Sequence, residues 1–465
     1  MRLPRRLGLA GATASAVLVL SGSPLAAPVP AGPPVFGAGR PAFVVSAVPA
    51  GSPEADIAGE PSVGVDWRTG SGLYQADATT YRLQLGTDRQ PATVTWTPAA
   101  SPYSHYNADP ILATDPRSGL TLAGGDDLAC GVMSTTRDDG TSWAPSLPCT
   151  LAADHPTVGF GPGTGGREGP IAYFCQQTSL DVCTTSANGG TTWSAPVAVP
   201  GCQGKFGHVK AARDGAVYLP FTLCGSSPLS VGGAVSTDNA ATWRPYTLPG
   251  APSPARGFDP TVAVTPDGTV YESWARDGDY HPVVSWSHDM GRTWTPPLDL
   301  AGTASPAVLA STFQAAVAGD DGRVAVAFLG TAVGTPGVNP FDSGYHGVWN
   351  LYVATTYDGG ASWTSVVAPG GPVQRGTIAD GGTTSLVQRN LLDFMDAAVT
   401  KDGRVLVGFA DGCLGACKGP AGTEAMSQAD NYATVALQTS GRGLFRAFDV
   451  AGPPPAGPRV RHRTR

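Results

Sequence analysis

Thr136-Arg137-Asp138-Asp139-Gly140-Thr141-Ser142-Trp143 is one copy of a frame that recurs along this chain: Ser/Thr, any, Asp/Asn, any, Gly, any, Ser/Thr, Trp. Further copies occupy 186–193, 236–243, 287–294 and 356–363, with Ala240 replacing the glycine in the third. The closing tryptophans, Trp143, Trp193, Trp243, Trp294 and Trp363, are spaced by 50, 50, 51 and 69 residues. Trp96 stands 47 residues before the first, and 439–445 holds a degenerate last copy. The frame carries the chemistry of a hairpin turn. Its Asp or Asn accepts hydrogen bonds from turn N–H groups, its Gly supplies a positive φ, and its Trp buries a large ring between neighbouring sheets. Asp138, Asn188, Asp238, Asp289 and Asp358 are therefore read as structural, not catalytic.

Composition agrees with a turn-rich β protein. The 465 residues include 62 glycines and 43 prolines, too many for a helical bundle, without the every-third-residue glycine of collagen. Residues 1–27 read as an export signal, with Arg2, Arg5 and Arg6 before an apolar run and small residues at Ala26 and Ala27. Residues 28–59 form an extended N-terminal segment whose stretch 42–48 is a candidate to complete the last sheet. Residues 451–465, rich in Pro and Arg, read as a disordered basic tail. Without the leader and tail arginines the net charge of −7 becomes −14, which disfavours nucleic acid and anionic membrane as partners. No stretch beyond the leader is long and apolar enough to span a bilayer. The eight cysteines fall as local neighbours and suit four disulfides in an exported protein: Cys130 with Cys149, Cys175 with Cys183, Cys202 with Cys224, and Cys413 with Cys417.

The repeated frame resembles the Asp box, or bacterial neuraminidase repeat, of the sialidase superfamily. That resemblance covers about 60–450 and implies one all-β domain, a β-propeller of four-stranded antiparallel blades. Seven units can be marked out: 60–97, 107–148, 154–198, 205–248, 257–299, 312–368 and 390–450. Seven blades are favoured over the six of familiar sialidases. Strand parity puts the Asp-Gly turns and the Asp boxes together on a bottom face, leaving the second-to-third loops and the links between blades on top. Glu60, Asp109, His155 and Asp259 each precede a proline at equivalent inner-strand starts and are expected to converge on the axis there.

The resemblance implies a secreted glycoside hydrolase acting on an extracellular glycan or glycoconjugate at the top of the channel, by a monomeric chain. Sialidase chemistry uses an arginine triad, a Tyr nucleophile with a Glu partner, and an Asp acid/base. The Phe/Tyr-Arg-Ile-Pro motif of the first arginine is absent, and blade 5 keeps the nearest echo in Asp259 and Arg276. Asp259, Arg276 and Asp109 are the candidate catalytic residues, with Asp109 and Asp259 as an acid and base pair. Glu60, His155, His208, Arg256, Arg389 and Asp393 are the candidate substrate-binding residues. No metal or cofactor is required, although Asp and His at the mouth leave room for Ca²⁺. The alternative is a non-catalytic glycan- or protein-binding propeller that keeps the boxes as architecture alone.

Overall fold

The computed structural model describes residues 39–449 apart from 78, 87–92, 104–108, 127–130, 149–153, 167–168, 178–179, 227–228, 253–258, 343, 379–390 and 415–430. The expected leader and tail lie outside the described residues. Seven antiparallel sheets succeed one another along the chain as the blades of a propeller. In blade 5 the strands are Thr261–Val264, Val270–Ala275, Pro282–Ser287 and Leu298–Asp299, from axis to rim. Blade 4 departs slightly, because its inner strand is split into Cys202–Phe206 and Lys210–Ala211, both paired with Val217–Cys224. Blade 6 carries an extra short strand, Gln374–Gly376, on its third strand Gly347–Thr356. Blade 7 takes its outermost strand from the other end of the chain: Ala42–Ala47 pairs antiparallel with Tyr432–Ser440.

Rings and aliphatic side chains fill the spaces between blades. Tyr74, Tyr81 and Trp96 of blade 1 pack with Leu406, Val435 and Leu437 of blade 7. Phe328, Tyr352 and Trp363 of blade 6 pack with Tyr271 and Val284 of blade 5. Burying each such side chain contributes roughly 1.5–3 kcal/mol, which makes these seams the main source of stability. Nearer the axis the blades converge, and small residues become necessary. A Cβ on Gly64 would lie 2.2 Å from Thr114 Oγ1, and one on Gly207 would lie 1.8 Å from the Pro260 carbonyl oxygen. The seven inner strands enclose a channel of about 280 Å³.

The five Asp boxes share one hydrogen-bond pattern. Thr136 Oγ1 donates to Asp138 Oδ1 at 2.8 Å and accepts the Gly140 N–H at 3.1 Å. Asp138 Oδ1 then accepts the Ser142 N–H at 2.9 Å, and its Oδ2 accepts the Ser142 hydroxyl at 2.6 Å. Burial opposes ionisation of Asp138, Asp238 and Asp358, but these donors outweigh it and hold all three below the ordinary carboxylate range. Asn188 fills the same place, accepting the Thr192 N–H and donating to the Thr192 hydroxyl, both at 2.9 Å. A carboxylate is therefore dispensable to the motif. In the first two boxes the tryptophan is also tied by a hydrogen bond to the blade before it: Trp143 Nε1 donates to the Ala99 carbonyl at 3.0 Å and Trp193 Nε1 to Ser146 Oγ at 3.1 Å.

The bottom face forms as strand parity requires. The Gly359 N–H of the blade 6 box donates to the Gly322 carbonyl of the same blade's Asp-Gly turn at 3.0 Å. The Asp267 N–H donates to Asp321 Oδ1 at 2.8 Å, joining the turns of blades 5 and 6. Two of the expected disulfides, Cys175–Cys183 and Cys202–Cys224, are formed. Cys413 is disulfide-bonded, while its expected partner Cys417, and both Cys130 and Cys149, lie outside the described residues. No described helix is long and apolar enough to cross a membrane.

Candidate functional site

The channel lining aligns the seven inner strands residue for residue, since Val63, Leu112, Val158, Val209, Val262, Ala316 and Ala397 occupy matching positions. Three residues earlier on each strand, at the top, stand Glu60, Asp109, His155, Phe206, Asp259, Phe313 and Phe394. The four polar residues were visible in the sequence because a proline follows each of them. Blade 4 lacks that marker: Gly207 replaces the proline, and His208, expected at the strand start, sits two residues farther down. Three ring members adopt left-handed backbone, Glu60 at φ 54°, His155 at 52° and Phe313 at 54°. Such a conformation costs of order 1–3 kcal/mol in a side-chain-bearing residue, and before proline the chain prefers extended geometry. Three of the eleven described side-chain-bearing residues with positive φ thus belong to this ring.

Side chains then bond across blades. The His155 N–H donates to Asp109 Oδ2 at 3.0 Å. His155 Nε2 lies 2.9 Å from Asp259 Oδ2 and 2.9 Å from the Phe206 carbonyl oxygen. Both neighbours are acceptors, so Nε2 carries the hydrogen. Lys205 Nζ meets Asp393 Oδ2 at 2.9 Å, and Asp396 Oδ1 receives His208 Nδ1 at 3.1 Å with Lys210 Nζ at 3.6 Å. These pairs connect blade 3 to blade 5 and blade 4 to blade 7, spanning the axis. Beneath them runs a shorter pattern between successive blades. Thr157 Oγ1 accepts the Val209 N–H at 3.0 Å, Thr261 Oγ1 accepts the Ala316 N–H at 3.0 Å, and Asp396 Oδ2 accepts the Val63 N–H at 3.3 Å where blade 7 meets blade 1.

Electrostatics follow from these contacts. Burial disfavours a charged His155, yet Asp259 beside it more than compensates and pushes the ring up to about 10. His155 is an imidazolium at neutral pH. Burial likewise opposes the charge on Lys205, and Asp393 and Asp259 overcome it. Asp396 is depressed to about 2, because Lys210 and His208 outweigh its burial. Asp154, exposed beside the ring, moves the other way: burial of its carboxyl and a hydrogen bond shared with Asp109 raise it. Asp181, on the second-to-third loop of blade 3, is raised to about 6 by burial.

The structure thus brings together Asp109, His155 and Asp259, with Asp393 joined through Lys205 and Glu60 adding its charge to that lysine's surroundings. His208 joins a separate pair with Asp396. Arg276 is held elsewhere. Its guanidinium contacts Asp279 at 2.5 Å and Asp299 at 2.7 Å within blade 5, and no contact among the described residues links it to the axial network. Arg256 and Arg389 lie outside the described residues. Lys205, Lys210 and Asp154 are the members that the sequence reading did not name as site residues.

Two other constellations invite a chemical reading. Asp279, His281 and Asp299 place a ligand atom each within 4.8 Å of one another, but Arg276 already lies against both carboxylates. A Tyr and Glu pair also exists: Tyr246 OH donates to Glu272 Oε2 at 2.8 Å. Both side chains are buried in the seam between blades 4 and 5, and burial pushes both well above their ordinary values. Burial thus opposes charge on both, and the pair is sealed from solvent.

Residues 173–368 match the BNR repeat-like domain family, a span that contains four of the five boxes. No curated protein sequence matches the chain. Among solved structures, YCF48 bound to D1 peptide is similar at 12% identity, covering 89% of this chain and 100% of that one, with a TM-score of 0.48. AofleA from Arthrobotrys oligospora is similar at 12% identity, covering 73% and 95%, with a TM-score of 0.44. The Hadza microbial sialidase Hz136 is similar at 15% identity, covering 85% and 68%, with a TM-score of 0.39. The five boxes, the seven blades and the family match over 173–368 together describe a seven-bladed β-propeller with BNR repeat-like sequence across that span.

Proposed function

We propose that this propeller is a secreted glycoside hydrolase acting on extracellular glycans at the top of its channel. The observation that carries the reading is the group of carboxyls gathered across blades at the top of the channel, where Asp109 accepts the His155 backbone N–H and Asp259 faces the His155 ring, with Asp154 next to His155 in the chain and raised by burial. Glycoside hydrolysis needs one protonated carboxyl and one ionised carboxylate. In this reading Asp154, raised by burial, serves as the acid and Asp259 as the base. Asp154 gives its proton to the leaving oxygen as the glycosidic C–O bond breaks, while Asp259 takes a proton from the water that attacks the anomeric carbon. His155 is a positioning residue that fixes Asp259 through its Nε2 hydrogen. The arginine-rich leader and the two disulfides support export.

Turnover of a panel of aryl glycosides tests this reading. Asp154→Asn and Asp259→Asn are each expected to lower kcat by about 10²–10⁴-fold, as for loss of a general acid or base. Turnover unchanged in both variants overturns the assignment. A second reading, a non-catalytic propeller that binds a glycan or protein, is favoured by the exposed apolar side chains of Leu180, Leu309 and Val333 in top-face segments. It predicts binding without turnover.

A further inference from the structure

At the end of the channel opposite the axial carboxyls lies a second cavity, about 730 Å³ in volume. Its wall is built from the first-to-second-strand turns of blades 2 to 6, on the Asp-box face. Three half-buried aromatic rings line it, those of Trp67, Phe160 and Phe445. The indole is fixed in place: its Nε1 donates to the Val399 carbonyl at 2.7 Å, and Phe445 meets it edge-on with ring centres 5.3 Å apart. A concave space of this size, with rings and a few polar groups in its lining, has the make-up of a ligand site.

The polar groups of that lining divide into engaged and free. Asp115 Oδ2 accepts the Ser118 N–H of its own turn at 3.1 Å, and Asp320 Oδ2 accepts the Arg446 N–H at 2.6 Å. Four of the turns also close their own backbones: the Asp115 N–H donates to the Leu120 carbonyl at 2.8 Å, Ala212 to Ala216 at 2.7 Å, Thr265 to Thr269 at 3.0 Å and Gly319 to Arg323 at 2.9 Å. Those bonds leave no strand edge at these turns along which a peptide main chain could add itself. Arg117 and Arg213, by contrast, are exposed and have neither a hydrogen bond nor an ion pair among the described residues. They stand on blades 2 and 4, on either side of blade 3. Residues 167 and 168, in the blade 3 turn between them, lie outside the described residues, so two free guanidiniums on one aromatic-lined cavity, and not a net charge, point to an anion.

We propose that this lower mouth binds a uronic-acid glycan, at a site separate from the one at the top. Pyranose rings lay their apolar C–H faces on Trp67 and Phe160, and each guanidinium receives a carboxylate through two parallel N–H donors. Two guanidiniums on either side of a blade call for carboxylates repeated along one chain, whereas a sugar with a single terminal acid supplies only one. The acidic groups at the top do not oppose such a ligand. Asp259 and Pro266 of blade 5 are seven residues apart along its inner strand, about 20 Å, which is more than twice the Debye length of about 8 Å at physiological ionic strength.

Calorimetric titration of the full chain in a chelator tests this, using a galacturonic acid oligomer, its methyl ester of the same length, and polyglutamate. The wild-type protein is expected to bind the acid at least about tenfold more tightly than the ester, the gain from charge-assisted hydrogen bonds. Arg117→Gln and Arg213→Gln are each expected to reduce that preference to less than about threefold, and because both side chains are exposed, thermal melts of these variants should match the wild type. Phe160→Ala is expected to weaken acid and ester alike, as loss of a stacking face requires. Equal binding of acid and ester, a preference for the acid that survives both arginine substitutions, or failure of both saccharides overturns the proposal and leaves the hydrolase reading of the top standing. Polyglutamate that binds as tightly as the uronate also overturns it and reassigns the cavity to an acidic peptide.

Discussion

At the bottom of a boxed blade, Asp238 accepts the Thr242 N–H and hydroxyl and the Ser236 hydroxyl, all from within seven residues of sequence. At the top, Asp259 faces a histidine 104 residues away, and Asp396 faces one 188 residues away. The bottom carboxylates are half-exposed and fully hydrogen-bonded by their own turns. Those at the top are buried and depend on other blades, and Asp259 Oδ1 has no partner. Left-handed backbone occurs at both ends, at Glu60, His155 and Phe313 above and at Asp139, Asn239, Ala240 and Met290 in the boxes below. The same residue type thus terminates a hairpin at one end of the axis and holds distant blades together at the other.

The largest effect is expected where one carboxylate serves most partners. Asp396→Ala leaves His208 and Lys210 unpaired and strips the Val63 N–H of its acceptor, so unfolding in urea should show a loss of about 3–5 kcal/mol. A loss below about 1 kcal/mol would mean that water reaches the pair and that the top is no more integrated than the bottom. Opening the Cys202–Cys224 loop by replacing both cysteines with alanine should come next, at about 2–4 kcal/mol in the same assay. Asp238→Ala removes hydrogen bonds that solvent partly replaces, and should cost only about 1–2 kcal/mol.

The smallest effect expected is a pH slope with opposite ends. His155 is raised above its reference value of 6.5, so its pairing stabilises fully below about pH 6.5 and is lost as pH rises through about 10. Asp396 is lowered from 3.8, so its contribution is present above that value and disappears as pH falls toward 2. Thermal melts between pH 7 and 10.5 should decline in the wild type and flatten in His155→Asn. An unchanged slope in that variant would place the alkaline titration on another group.

The bottom face was legible from sequence because everything it needs is local. Ser/Thr, Asp, Gly and Trp at fixed offsets specify a hairpin whatever lies beyond it, and their repetition gave the count of seven blades that the sheets show. The top was legible only where local chemistry left a mark. Glu60, Asp109, His155 and Asp259 were found through the prolines after them, whereas Phe206 had none, and His208 was placed two residues too near the mouth. Lys205 carries no signal at all, since its value comes from Asp393 across the ring. Arg276 had a persuasive position in its blade, but nearby Asp279 and Asp299 offered it closer partners than the axis.

The pairing of Ala42–Ala47 with Tyr432–Ser440 gives this circular architecture a definite order of completion. A strand near the start of synthesis must wait, edges bare, for a neighbour made nearly four hundred residues later. Until they meet, blade 7 is a three-stranded sheet with an open side, and the Val63–Asp396 clasp between the first and seventh blades has nothing outside it to hold it shut. Folding would then finish with a latch rather than a nucleus, and a chain shortened past Ala47 would be expected to borrow that strand from another molecule.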